Sequence, residues 1–124
     1  MKPSLMAWAA VGAMCLAGPV MAHHSYAMFD RAKTVTLNGT IRQYQWTNPH
    51  SWIQLTVPND AGGTDEWSIE MGSPFELLRV GWTSTTVKAG DKVSIQVHPV
   101  KDGTKGGGFV SGTDAGGHAL GGGK

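Results

Sequence analysis

The sequence predicts a small all-β domain carrying one short helix. Alternating apolar and polar residues recur at Trp52 to Val57, Glu66 to Met71 and Lys92 to Val100. A period of two belongs to strands with one face buried. Glycine supplies 18 of the 124 residues and punctuates these runs. A single segment, Ser73-Pro74-Phe75-Glu76, has the start signals of a helix. It places a serine at the N-cap, a proline at the first helical position and a glutamate three residues after the cap.

The chain opens with a segment that reads as an export signal. Lys2 is a basic start, and Leu5 to Leu16 is an apolar run of 12 residues. Such a run is shorter than the roughly 20 residues that span a bilayer. Gly18 and Pro19 break it, and Val20-Met21-Ala22 offers a cleavage site after Ala22. Cys15 is the one cysteine, and Met14 and Gly12 do not fit the cleavage site of a lipoprotein. The reading is therefore residues 1–22 as signal, 23–114 as one domain and 115–124 as a flexible glycine-rich tail. It implies a periplasmic or secreted protein whose processed form has neither disulfides nor thiolate metal sites.

Within the domain, Thr34 to Trp46 reads as one long strand. Val35, Leu37 and Ile41 share one parity, whereas Tyr44 and Trp46 have the other. The switch predicts a bulge near Arg42–Gln43, with Gly39 at a bend. Thr47-Asn48-Pro49-His50 is a turn. The second and third strands follow, then the helix, whose buried stripe is expected to come from Leu77, Leu78 and Val80, with Gly81 as its stop. Lys92 to Val100 is the fourth strand, with Val93, Ile95 and Val97 facing inward. Lys101 to Gly108 reads as a loop and Phe109 to Thr113 as a weaker fifth strand. The order strand, strand, strand, helix, strand, strand is that of the five-stranded OB-fold barrel. An SH3-like barrel or a small β-sandwich is the alternative.

Several of these pieces resemble an uncharacterised family of small exported bacterial proteins. They are His23-His24-Ser25-Tyr26, Phe29-Asp30, Trp46-Thr47-Asn48-Pro49-His50, Gly72-Ser73-Pro74, Leu78 to Gly81-Trp82, Gly90-Asp91 and Lys101-Asp102-Gly103. The resemblance implies export and a compact β domain, and brings no catalytic or binding residue with it.

Charge narrows the function classes. The chain has 10 basic and 9 acidic residues. Loss of Lys2 with the signal leaves the two in balance. That balance, with export, predicts no nucleic-acid partner and no membrane partner after processing. All five histidines lie beyond residue 22. A chain starting at His23 joins a free α-amine to an imidazole, and His24 or His50 can add a second ring. Such nitrogen sets favour Cu(II) by affinity order and tetragonal preference. A second candidate is the segment Trp46 to Trp52, where Trp46, Asn48 and Trp52 could hold a small ligand by stacking and hydrogen bonding. Ser73 is explained by its cap, and the Gly106-Gly107-Gly108 run lacks the ending of a phosphate loop. His98 is expected outside the barrel and His118 in the tail.

These residues point to a small binding protein without covalent chemistry. The first reading is a copper binder using His23, His24 and His50. The alternative is a metal-free module that holds a small ligand, or another periplasmic protein, at the barrel rim around Trp46 to Trp52. The processed chain is expected to begin at His23. Amino-terminal sequencing checks this, and a start at Met1 or beyond His24 removes the amine–imidazole chelate.

Overall fold

The computed structural model describes residues 26–121. A single turn of 3-10 helix, Tyr26–Met28, leads into five strands and one helix. The strands are β1 (Val35–Gln45), β2 (Trp52–Pro58), β3 (Thr64–Glu70), β4 (Lys92–Pro99) and β5 (Gly106–Asp114). The helix α1 (Pro74–Arg79) lies between β3 and β4. The strands close into a barrel in the order β1-β2-β3-β5-β4. Every neighbouring pair is antiparallel except β3 and β5, which run parallel. This is the OB-fold arrangement the element order predicts.

β1 serves both halves of the barrel. Its first half, Val35 to Thr40, pairs with β4, and its second half, Thr40 to Gln45, pairs with β2. The register slips between Ile41 and Gln43, where the parity switch predicts a bulge. The slip turns the inward face from Leu37 and Ile41 to Tyr44, and Trp46 beyond the strand end packs with it against the core. Ile53, Leu55, Ile69, Ile95 and Val97 fill the middle of the barrel with no measurable exposure. Trp82 plugs one end at 2% exposure, its ring edge-on to Phe109 and tilted against Tyr44. The Tyr44 hydroxyl donates to the carbonyl of Thr83 at 2.9 Å. Burial pushes that phenol up to about 12, so it stays a donor across the physiological range.

The helix carries the expected cap. Glu76 N–H donates to Ser73 Oγ at 3.3 Å, and Ser73 N–H donates to Glu76 Oε2 at 2.9 Å. The expected apolar stripe is corrected: only Leu77 is buried, whereas Leu78 is 56% and Val80 53% exposed. Six residues make under two turns, so one side chain can point straight into the barrel mouth. Val80 is the C-cap, already outside the helix, whereas Trp82 two residues on is buried in the core.

Two further expectations change. Gly106-Gly107-Gly108 is not loop but the start of β5, paired to both β3 and β4. A Cβ on Gly107 would lie 2.7 Å from the His98 carbonyl oxygen and 2.8 Å from Val97 Cβ. The chain can come this close only where no side chain intervenes. The segment from Ala115 is not a loose tail as far as residue 121. It turns back, pairs Ala119 with Thr113 and buries Leu120 to 9% exposure. Asp114 Oδ1 accepts the backbone N–H groups of Gly116 and His118, each at 2.9 Å, which holds the turn. Glycine made the segment look solvated, but glycine also lets it fold tightly.

Gly107→Ala is expected to destabilise the domain by roughly 1–3 kcal/mol, since the added methyl must displace backbone rather than a side-chain tip. Urea denaturation beside Gly63→Ala, where an added Cβ would meet nothing nearer than 3.7 Å, separates this crowding from loss of glycine flexibility.

Candidate functional site

The loop between β1 and β2 is stitched to the end of β3. Ser51 N–H donates to the Gly72 carbonyl and Met71 N–H to the Ser51 carbonyl, each at 2.9 Å. Ser51 itself is fully buried, and its Oγ accepts the N–H of Thr47 at 3.3 Å. These bonds fix His50 beside β3. The His50 Nδ1 lies 2.5 Å from Glu70 Oε1. Glu70 is 7% exposed, the one charged side chain so deeply placed among the described residues. A buried carboxylate without a partner is costly, so the histidine is what makes this position tolerable. Because a carboxylate accepts, Nδ1 carries the hydrogen of this bond, and Nε2 is left for another use.

Glu76 is near as well. Its carboxyl is held below the usual range first by the Ser73 backbone N–H, then by the Ser73 side chain, with the charge of His50 a lesser cause. Folding therefore favours the ionised form. The stabilisation is present above the ordinary carboxylate pKa and is lost as pH falls through the lowered folded value.

Across the outer face of the sheet runs a row of neighbours: Trp52 opposite Glu70, Glu70 opposite Gly108, Gly108 opposite His98. The glycine leaves a gap in this row. Phe29 fills part of it, since its ring lies 3.1 Å from where a Gly108 Cβ would be. The lead-in is pinned there by backbone bonds, Asp30 N–H to Pro99 and Lys101 N–H to Met28, at 2.8 and 2.9 Å. Beside Phe29 opens a cleft of about 490 Å³, lined by Leu77, Phe109 and Val110 with Glu70, His98 and Arg31. The His98 ring stands outside the core, as its parity predicts. Its Nδ1 donates to the Lys33 carbonyl at 2.8 Å, which leaves Nε2 as an acceptor in the neutral ring.

The sequence-predicted residues fall in different places. His23 and His24 lie outside the described residues. His50 is half-buried on Glu70. Trp46 packs against the core, edge-on to Tyr44 at 6.0 Å. Asn48 is exposed, before a cis Asn48–Pro49 bond. Trp52 begins β2 opposite Gln45 and Glu70 and alternates with the fully buried Ile53. The two tryptophans thus belong to different sides of the sheet. His118 is exposed and pairs with Asp114 at 3.2 Å. Sequence reasoning missed Glu70 and the cleft. The one available signal was a glycine triplet running directly into the last strand.

The architecture is that of an OB-fold barrel with a cleft beside its parallel seam. The chain belongs to a family of unknown function, DUF6152, whose model matches residues 11–109. No curated protein matches the chain. Among solved structures, Rim1, a mitochondrial single-stranded DNA binding protein from S. cerevisiae, is similar. It shares 13% identity over 73% of this chain and 97% of its own, with a TM-score of 0.47. This finding corrects the expectation of no nucleic-acid partner. A balanced net charge averages over the whole surface, and barrels of this plan serve single-strand binders, so balance does not remove that class. At this score the likeness carries no argument that the present chain binds DNA.

His50→Ala is expected to cost about 1–3 kcal/mol, because it leaves the Glu70 carboxylate buried without its partner. Glu70→Gln keeps an acceptor for the ring and is expected to cost less. Urea denaturation at neutral pH measures both, with His118→Ala as the exposed control. A loss for His50→Ala no larger than the control would show that the pair holds nothing.

Proposed function

We propose that the protein is a small exported binding protein that takes one Cu(II) ion through an amino-terminal histidine and His50. The observation that supports it is the bond from His50 to Glu70. Histidines that ligate metals nearly always donate their other ring N–H to a carboxylate or carbonyl, which fixes the tautomer and aims the free nitrogen. His50 has that arrangement before any metal is present.

Position supports the same reading. Phe29 lies on Gly108, the β5 neighbour of Glu70. His23 is six residues before Phe29; Tyr26–Met28 form a 3-10 turn that rises roughly 2 Å per residue, and the three residues before it span at most roughly 10 Å, a reach of about 16 Å in all. The α-amine and ring of His23 are therefore within chain reach of His50 Nε2, with His24 as the other candidate. Among the described residues no group of three or more His, Cys, Asp or Glu is arranged to hold a metal. The site in this reading thus needs the arm, and it is a carrier's or sensor's site in chemistry: nitrogen donors, no thiolate and no catalytic base. The signal segment and a periplasmic or secreted setting belong to this proposal, because the chelate depends on cleavage after Ala22.

The test is calorimetry of Cu(II) and Zn(II) binding to a chain beginning at His23. One Cu(II) is expected to bind, more tightly than Zn(II). Affinity is expected to fall as pH drops through the imidazole range near roughly 6.5, where protons compete for the nitrogens. One extra residue before His23 and His50→Gln should each weaken binding strongly, and His118→Gln should not. Equal affinity for the native and the extended start would overturn the reading.

A further inference from the structure

Of the cleft beside the seam, the proposed copper site uses only Glu70, as the partner of His50, and the lining as a whole has a definite chemistry. Its volume, about 490 Å³, falls in the range of roughly 300–1,000 Å³ usual for small-ligand pockets. Phe29 and Leu77 give it walls that are themselves buried, at 5% and 6% exposure. Phe109 adds an aromatic face, and Val110, 42% exposed, stands at the mouth.

The polar groups in this lining are mostly acceptors. Glu70 accepts from His50 through one oxygen, and among the described residues no other group bonds to its carboxylate. A carboxylate can accept several hydrogen bonds, so capacity remains. His98 has its Nδ1 hydrogen committed to the Lys33 carbonyl, so the neutral ring offers Nε2 as an acceptor. Glu70 and His98 are separated by one glycine strand position, about 10 Å at two strand spacings. Two acceptors, one of them a buried carboxylate, call for a molecule that brings donors and positive charge. The apolar walls call for a hydrocarbon body, and the ring of Phe29 or Phe109 can add cation–π attraction. Arg31 also lines the cleft, but it is exposed, and solvent and salt screen its charge more than that of a carboxylate held at 7% exposure.

From this geometry we propose that the cleft is a binding site for a small organic ammonium ion. Its apolar body lies among Phe29, Leu77 and Phe109, and its charged head meets Glu70. The site shares Glu70 with the copper reading but does not require a metal.

Three matched probes test it: phenethylammonium, phenethyl alcohol and phenylacetate. Each is titrated into the protein in the presence of a chelator, following the backbone amide signals of Gly107, Gly108 and Val110. The ammonium is expected to saturate these shifts with at least roughly tenfold higher affinity than either the alcohol or the carboxylate. Glu70→Gln should bring the ammonium down to the level of the alcohol. Val110→Lys is a second variant, at an exposed position, which adds a like charge at the mouth without touching the Glu70 pair. It should weaken the ammonium several-fold and leave the alcohol unchanged. Phenylacetate binding as tightly as the ammonium would overturn the proposal, because Arg31 would then set the charge preference. So would ammonium binding that Val110→Lys does not change, or the absence of saturable shifts at these amides. Since copper is excluded from the solutions, and an extension before His23 should not alter the titration, failure here is distinct from failure of the copper reading.

Discussion

The contact on which the molecule depends is the close passage of β5 between β3 and β4. A barrel of five strands must bring its last strand against one that entered much earlier, and here it does so in parallel. Three residue pairs, Ser68 with Gly106, Ile69 with Gly107 and Glu70 with Gly108, make that seam. The Gly107 backbone lies too close to Val97 and the His98 carbonyl for any side chain. On that side the hydrophobic interior, from Leu37 to Val97, is closed by the backbone of Gly107 together with the Phe109 side chain packed against the core. Burial of those apolar groups is the main stabilising force, and it is available only if the seam closes.

Closing the seam with glycine has a second effect, on the outer face. Where other positions in the row carry Trp52, Glu70 and His98, Gly108 carries nothing. The gap accepts Phe29 and so ties the lead-in to the barrel. It also leaves the neighbouring groups facing a hollow rather than each other. The deeply placed Glu70 is tolerable because the β1–β2 loop, fastened through Ser51, brings His50 to it. Fold closure, the anchoring of the lead-in and the chemistry of the hollow therefore share one set of residues.

Much of the fold was legible because local signals and tertiary demands agreed. The parity switch between Ile41 and Tyr44 marked the bulge, and Ser73 to Glu76 marked the helix start. Alternation from Val93 to Val97 identified a strand with one buried face. Two of the misreadings have a common cause. Glycine at 106–108 and after Ala115 has the same letter whether it loosens a loop or permits close contact, and only the neighbours decide. Leu78 and Val80 were misplaced because helical periodicity presumes several turns, which six residues do not provide. The candidate site was legible only in part. His50 was visible as a donor, but Glu70 was not, because its partner lies twenty positions away and its burial depends on loop stitching. The cleft had no sequence signature beyond the glycine triplet, since it is a gap left by an absent side chain.

The shortness of the seam bears on how the barrel moves. β1 and β2, β2 and β3, and β4 and β5 are joined along most of their lengths, whereas β3 and β5 share three pairs. Proteins open first where few contacts hold, in local excursions well below the cost of global unfolding. Here such breathing would part β3 from β5 and unroll the barrel into a curved five-stranded sheet still joined at β1 and β4. The hollow lies over the end of that seam, with Glu70 on one lip and Gly108 on the other. A molecule held there would span both strands and act as a latch, so occupancy would be read not only as binding but as slowed amide exchange along β5.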